Sequence, residues 1–242
     1  MNKNEPIFRP KHLTINDIKE GCVTLTGDNE EETKICMMQE EFRQGIDVVS
    51  EFTPSVTFYG SARTKEDDEV YKKVRNLAYR ISKELGYIVL TGGGPGVMEA
   101  ANRGASEAGG RSVGLTIKLP YEQKTNPYVT DEIPFYFFFT RKVTMSYTTE
   151  VCIFCPGGFG TFDELFEILT LQQTGKIGKI PVILYGKDFW EPIDKVIKEI
   201  LLEKFSTIDA SDREIYHILD DEEEIMKIIS QSRLRDGEDA LK

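Results

Sequence analysis

From Ser55 onward, short runs of apolar residues alternate with segments whose apolar residues recur at helical spacing. Such alternation is typical of β-α units arranged around a largely parallel sheet. We therefore predict an α/β fold of the Rossmann-like, doubly wound type, in which helices flank a mostly parallel sheet. Residues 53–242 are predicted to form this domain, and residues 1–52 an N-terminal extension that contains a helix.

The apolar runs indicate where the strands and helices lie. The predicted strands are SVTFYG to Gly60, YIVLT to Thr91, runs near Val113–Ile117 and Phe135–Phe139, VCIFC to Cys155, and IPVILYG to Gly186. A helix is predicted in the extension from the spacing of Ile35, Met38, Phe42, Ile46 and Val49. A short helix is predicted over Arg141–Thr149. The aromatic run around Tyr136 could stack on a base, but a buried strand explains it better.

The chain of 242 residues carries a net charge of -11 at pH 7, and its sequence pI is about 4.9. An acidic surface repels a phosphate polymer, so we expect no general binding to nucleic acid and only a local site for any phosphate. No apolar run approaches the ~18 residues of a membrane span, and the N-terminal residues lack the apolar core of a signal peptide. We therefore expect a cytoplasmic protein with no membrane partner.

Cysteines and histidines are few. The four cysteines are too few and too unevenly placed for a disulfide-stapled secreted domain, and we expect reduced thiols at Cys22, Cys36, Cys152 and Cys155. The last two form a C-x-x-C, but the apolar residues between them favour a buried strand. Because His12 and His217 are the only histidines, neither a metal site nor a histidine-based nucleophilic triad is predicted.

Three loops rich in glycine or small residues follow predicted strands, at Gly60–Arg63, Gly92–Gly96 and Pro156–Thr161. In an open parallel sheet, ligands settle beyond the carboxyl ends of the strands, where such loops lead into helix N-termini. Glycines let the backbone approach an anion, and free N–H groups of the following helix point toward it. A glycine at such a corner is also a common structural turn, but three loops together favour a phosphate site.

The second loop does not carry either of two familiar nucleotide motifs. The G-x-G-x-x-G fingerprint would need a glycine at Val97, and none of the Gly-Lys pairs belongs to a Walker motif. Hydride transfer and P-loop hydrolysis therefore lose support.

Glu164 follows Thr161 by three residues, which is the spacing of a helix capping box. A role in capping the helix competes with a role in catalysis, and the same residue can serve both. If Gly158, Gly160 and Thr161 hold a phosphate, a carboxylate one turn further along can face the ribose. Cleavage of an N-glycosidic bond builds positive charge on the sugar, which a fixed carboxylate can stabilise, or the carboxylate can orient the attacking water.

Arg141 and Lys142 stand where a predicted strand ends and a helix begins. A cation at a helix N-terminus opposes the helix dipole at a cost of ~0.3–1 kcal/mol, which suggests an anionic partner. A surface ion pair with an acidic residue explains the two cations equally well. Ser61 has no base beside it in the sequence, so we assign it a hydrogen bond to the ligand rather than nucleophilic attack.

The segment PGGFGTFDE, from Pro156 to Glu164, matches the P-G-G-x-G-T-x-x-E signature of the LONELY GUY (LOG) family. The similarity extends over about residues 55–205 and includes the segments YGSAR, GGGPGVMEAANRGA and TRKVTM. The chain thus resembles cytokinin-activating phosphoribohydrolases and related nucleotide 5′-monophosphate nucleosidases. The resemblance implies a Rossmann-like fold, assembly as a homodimer or larger homo-oligomer, and a nucleotide bound between the glycine loops. Such proteins have often been labelled lysine decarboxylases, but no feature here demands pyridoxal phosphate, and no cofactor is predicted.

The resemblance implies that Arg141 and Glu164 are the catalytic pair. Together with the loop residues, the predicted substrate-binding set is Gly60, Ser61, Gly93, Gly94, Met98, Glu99, Lys142, Gly157, Gly158, Gly160 and Thr161. The predicted reaction hydrolyses AMP or a similar nucleoside 5′-monophosphate, including cytokinin riboside monophosphates, to a free base and ribose 5-phosphate. The alternative is a carrier of the same fold that binds a nucleotide or the molybdenum cofactor without cutting it.

Overall fold

The computed structural model describes residues 14–27, 29–49, 51–119 and 124–232. Within these residues the strands are β1 Ser55–Tyr59, β2 Ile88–Thr91, β3 Ser112–Ile117, β4 Asp131–Phe135, β5 Val151–Phe154, β6 Val182–Tyr185 and β7 Tyr216–Leu219. They form one sheet in the order β4-β3-β2-β1-β5-β6-β7, and each neighbouring pair is parallel. The predicted parallel sheet is confirmed.

The α-helices in the same residues are α1 Ile15–Thr26, α2 Glu30–Val49, α3 Glu69–Arg80, α4 Val97–Glu107, α5 Phe138–Thr148, α6 Phe159–Gln173, α7 Lys187–Val196 and α8 Glu222–Gln231. Wider helical turns extend α3 over Ile81–Leu85 and α7 over Ile197–Lys204. Helices α3, α4 and α8 pack on one face of the sheet, and α2, α5, α6 and α7 pack on the other. The sheet is therefore doubly wound, as predicted. No helix in the described part of the chain is long and apolar enough to cross a membrane.

The strand order places a switch point at the centre of the sheet. The chain moves outward from β1 through β2, β3 and β4 on one side, and through β5, β6 and β7 on the other. The loops after β1 and β5 therefore diverge to opposite sides and leave a crevice at the carboxyl ends of these two strands, the usual ligand position in such sheets. The backbone N–H of Ser61 donates to the carbonyl of Pro156 at 3.0 Å and joins the two loops.

The predicted strand at Phe135–Phe139 was wrong. Strand β4 ends at Phe135, and α5 begins at Phe138. The backbone N–H groups of Tyr136 and Phe137 donate to the carboxylate of Glu41 and not to a neighbouring strand. The strand pairing therefore stops at Phe135. The aromatic residues that follow the strand, Tyr136, Phe138 and Phe139, are each about half exposed.

The extension contains the predicted helix, but the apolar face assigned to it was partly wrong. Ile35 is 56% exposed, whereas Met37 is buried with Ile18 and Cys22 of α1, and Glu41 and Gly45 are buried against the domain. A carboxylate and a glycine carry no apolar signal, so periodicity alone could not identify this face. The C-terminal end of α2 adds Val49 to the same core as the strands, and the extension is therefore packed into the domain.

The expectation of reduced thiols was wrong for Cys22 and Cys36, which form a disulfide between α1 and α2 with a Cα–Cα separation of 5.7 Å. The two helices form a hairpin, and it brings together cysteines that are 14 residues apart. Cys152 and Cys155 form no disulfide and are buried in the sheet core, as predicted. His12 lies outside the described residues.

Candidate functional site

A cavity of about 990 Å³ lies at the carboxyl ends of β1 and β5. The predicted site residues that line it are Gly60, Ser61, Met98, Arg141, Gly158, Gly160, Thr161 and Glu164. The structure thus brings together, at the switch point of the sheet, residues that are about one hundred positions apart in the chain. Both members of the predicted catalytic pair face this cavity.

Arg141 lies in the first turn of α5, and most of its side chain is buried. One terminal nitrogen donates to the carbonyl of Leu115 at a long 3.4 Å, and the guanidinium lies 5.6 Å from the ring centroid of Phe138. Its Nε is buried with no hydrogen-bond partner among the described residues. Burial lowers the pKa of Arg141, although Glu164 and Tyr59 oppose that change. A buried cation with an unused donor is suited to bind an anion.

Glu164 lies in the second turn of α6, and only 8% of it is exposed. Burial raises its pKa from 4.5 to about 7, while the positive charges of Arg141 and Lys142 oppose the rise. A carboxyl whose pKa lies near neutral pH can hold or release a proton during a reaction, which is the property expected of a catalytic acid or base.

The capping-box interpretation of Thr161 and Glu164 was wrong. Helix α6 begins at Phe159 with Gly158 as its N-cap, and no side chain caps it. The N–H of Thr161 bonds to the carbonyl of Gly158 at 3.0 Å. The helix thus begins within the glycine loop, and Thr161 is already inside the first turn. The N-terminus of α6 therefore meets the cavity without a side-chain cap.

The glycines of the Pro156–Thr161 loop differ in what they do for the fold. At Gly157 a Cβ would clash with the side chain of Thr161, so the packing of the loop requires glycine there. At Gly158 and Gly160 a Cβ would meet nothing within 4 Å, and neither residue has a positive φ. Neither packing nor a positive φ therefore requires glycine at these two positions, and the absence of side chains leaves the backbone open to close approach by a ligand.

The other two loops also contribute to the cavity wall. Gly60 allows the β1 loop to lie against Val97, whose side chain would be 2.6 Å from an added Cβ. Gly92 lies between Arg141 and Met98, each 2.9 Å from the position of a Cβ. A larger residue at Gly92 would displace the guanidinium, so this glycine keeps space for Arg141.

Five predicted binding residues do not line the cavity. Gly93 has a φ of +70° and turns the loop, and the carbonyl of Gly94 accepts from the Asn126 amide at 3.0 Å. Glu99 accepts a hydrogen bond from the hydroxyl of Tyr71 at 3.0 Å. Lys142 contacts acidic residues of α6 and is described below. Gly157 lines a smaller pocket beside the main one.

Lys142 joins α5 to α6 rather than facing the cavity. Its Nζ lies 3.0 Å from Asp163 and 2.7 Å from Glu167. Burial alone would lower the pKa of Lys142, but the bonds to the two carboxylates outweigh it and raise the pKa. Lys142 therefore stays charged and fixes the helix that carries Arg141 against the helix that carries Glu164.

Sequence reasoning missed several cavity residues, among them Tyr59, Arg63, Phe138 and Phe159. The hydroxyl of Tyr59 is buried without a hydrogen-bond partner among the described residues, and burial raises its pKa well above its usual range. The ring of Tyr59 stacks on Phe154 at 4.5 Å, which explains a buried aromatic at this position but not its hydroxyl. The position of Tyr59 beside Gly60, at the end of a strand, was the available signal.

The chain matches a known family over more than half of its length. The family model described as "Possible lysine decarboxylase" matches residues 98–229. The chain belongs to this family, the LOG family. It is 30% identical over 168 residues to the cytokinin riboside 5′-monophosphate phosphoribohydrolase LOG of Oryza sativa subsp. japonica, a match that covers 66% of each chain. It is 24% identical over 155 residues to the cytokinin riboside 5′-monophosphate phosphoribohydrolase of Rhodococcoides fascians, covering 63% of this chain and 78% of that protein.

Solved structures share the fold of this LOG-family chain. The molybdenum cofactor binding protein of Rippkaea orientalis superposes with a TM-score of 0.55 at 23% identity, over 72% of this chain and 93% of that one. At that identity the likeness concerns the Rossmann-like fold alone.

Proposed function

We propose that the chain hydrolyses the N-glycosidic bond of nucleoside 5′-monophosphates and releases a free base and ribose 5-phosphate. The observation that carries this proposal is that the buried Arg141 and the buried Glu164 face one cavity beside the uncapped N-terminus of α6. The names of the rice and Rhodococcoides relatives support the same reaction.

The cavity has the parts that such a reaction needs. The N–H groups and the positive dipole end of α6, beside Gly158 and Gly160, would hold the phosphate dianion. Arg141 would add its buried positive charge and its unused Nε donor to the same anion or to the leaving group. A phosphate held at the loop places the pentose toward Glu164, one turn further along the helix.

Glu164 would act as a carboxylate at the sugar. Departure of the base leaves positive charge on the anomeric carbon, as in other glycoside hydrolyses. The electron pair of the broken bond stays on the base nitrogen. The carboxylate stabilises the charge on the sugar, or takes a proton from the attacking water, whose oxygen forms the new bond to the anomeric carbon. The proton lost by the water balances the one that the released base gains. The pKa of about 7 means that this active form is populated near neutral pH and above.

The test is release of a free base from a panel of common nucleoside monophosphates and cytokinin riboside monophosphates, measured by chromatography. Arg141→Ala and Glu164→Gln should lose most of the activity. Glu203→Gln, which changes a carboxyl that is 56% exposed and does not line the cavity, serves as the control and should keep it. No base from any member of the panel would refute the proposal, and tight binding of AMP by calorimetry without product would favour the carrier.

A further inference from the structure

The carboxylate of Glu41 lies in an unusual place for a charged group. It is only 4% exposed, and it is held between α2 of the extension and the turn that precedes α5. It accepts hydrogen bonds from the backbone N–H of Tyr136, from the N–H of Phe137 at 3.2 Å and from the hydroxyl of Thr140 at 3.0 Å. A helix of the extension thus binds the start of α5, about one hundred residues further along the chain.

Helix α5 has no cap of its own. Its N-cap residue is Phe137, and no side chain of the helix caps the first turn. A helix start leaves backbone N–H groups without intrahelical partners, and a negative charge there also interacts favourably with the helix dipole. From outside the helix, Glu41 accepts the N–H of the N-cap residue Phe137 and places a negative charge beside the helix start.

Burial of this carboxylate has a cost that the contacts offset. Burial raises the pKa of Glu41, and the hydrogen bonds from Tyr136, Thr140 and Phe137 oppose the rise. An apolar side chain of similar size would avoid this cost but would leave the N–H groups of Tyr136 and Phe137 without their acceptor. The contacts therefore tie the position of the turn to α2.

The turn that Glu41 holds leads directly to Arg141. Phe137 donates its N–H to Glu41, and its carbonyl accepts the N–H of Arg141 at 3.4 Å. Thr140, the residue before Arg141, contacts the same carboxylate. One turn along α2, Gly45 permits close packing, since a Cβ there would lie 2.8 Å from the side chain of Thr144 in α5. The N-terminal extension therefore sets both the start and the distance of the helix that carries Arg141.

We propose that Glu41 is a positioning residue that fixes the start of α5 and so holds Arg141 in the cavity, which makes the N-terminal extension part of the active site's construction. This inference rests on the proposed hydrolysis and adds to it a residue outside the cavity. It also assigns a role to a segment that the family motifs do not cover.

The test compares Glu41→Gln with Glu40→Gln, which makes the same change at the next residue, where Glu40 forms a surface pair with Arg43 at 2.7 Å. The amide keeps the shape but replaces one acceptor by a donor that faces N–H groups. We expect Glu41→Gln to lose about tenfold to a hundredfold in kcat, with KM changed much less, because a small misplacement of a catalytic group has an effect of that size. Glu40→Gln should match the wild type.

Two further measurements separate positioning from general damage. In an Arg141→Ala background, Glu41→Gln should cause no further loss, whereas a residue that acts independently would cause the same loss again. Thr140→Ala should cause a smaller loss in kcat than Glu41→Gln does, and Thr140→Ser, which keeps the hydroxyl, should have nearly the kcat of the wild type. If Glu41→Gln fails to fold, this second pair of variants carries the test.

A crystal structure of Glu41→Gln, or of Thr140→Ala, distinguishes failure of this inference from failure of the proposed reaction. The guanidinium of Arg141 should move away from the carbonyl of Leu115, whether or not the wild type cleaves a nucleotide. An unchanged Arg141, wild-type kinetics in Glu41→Gln, or equal losses in both backgrounds would overturn the inference. Absence of base release from the wild type would overturn only the proposed reaction.

Discussion

Replacement of Glu164 by glutamine is expected to make the folded protein more stable while it removes activity. Glutamine has nearly the shape of the protonated carboxyl and carries no charge. Burial raises the pKa of Glu164 from 4.5 to about 7, although Arg141 and Lys142 oppose the rise. Between pH 4.5 and about pH 7, the folded state of the wild type therefore binds the Glu164 proton more tightly than the unfolded chain does.

The size of the effect follows from the pKa values. Each tenfold change in acidity corresponds to about 1.4 kcal/mol, so a pKa raised from 4.5 to about 7 corresponds to about 3 kcal/mol. Because the folded pKa is the higher one, this stability is present below about pH 4.5 and is lost as the pH rises through about 7. Glutamine does not titrate, so the variant should exceed the wild type in stability by up to about 3 kcal/mol at alkaline pH.

The assay is urea unfolding of both proteins at acidic and at mildly alkaline pH, with the free energy of unfolding taken from the midpoint and slope. The free energy of unfolding of Glu164→Gln should exceed that of the wild type only at the alkaline pH. Asp163→Asn, at an exposed carboxyl of the same helix, should change the free energy of unfolding by no more than ~1 kcal/mol at either pH. A Glu164→Gln variant that is no more stable than the wild type at alkaline pH would refute the reasoning.

Three further predictions concern the same cavity. The value of kcat/KM should rise with pH and level off above about 7, since the proposed reaction uses the ionised form of Glu164, and a pH–rate profile checks this. Gly158→Ala should weaken phosphate binding in calorimetry and keep the melting temperature, whereas Gly157→Ala should lower the melting temperature, because only there does a Cβ clash with Thr161. Tyr59→Phe should keep or raise the melting temperature and weaken ligand binding, since the lost hydroxyl has no partner in the described chain.

Most of the sheet could be predicted from the sequence because most of its strands are local apolar runs. The runs that became β1, β2, β5 and β6 have turn residues at one end or both, and local pattern is sufficient for such segments. Strand β7 and helix α1 were missed: Tyr216–Leu219 is a run of only four residues, and Ile18 and Cys22 are the buried residues of Ile15–Thr26. Strand β7 is placed by its pairing with β6, and α1 by its packing on α2.

The candidate site could be predicted in part for a similar reason. Glycine loops after strands identify the carboxyl edge of a parallel sheet, so Gly158, Gly160 and Thr161 were expected near a ligand. The contact between Glu41 and Tyr136 joins residues 95 positions apart, and without it the aromatic run reads as a continuing strand. The disulfide of Cys22 and Cys36 likewise depends on a helical hairpin that apolar spacing did not reveal.

The cavity departs from the usual rules of a stable interior at several neighbouring points. The Nε of Arg141 and the hydroxyl of Tyr59 lack partners in the described chain, and Glu164 carries a carboxyl that burial makes harder to ionise. A buried polar group without a partner costs ~1–3 kcal/mol, so several in one place would not persist for packing alone. A ligand that supplies an anion and hydroxyl groups would satisfy all three at once, and local departures from stability rules are expected where a protein binds such a ligand.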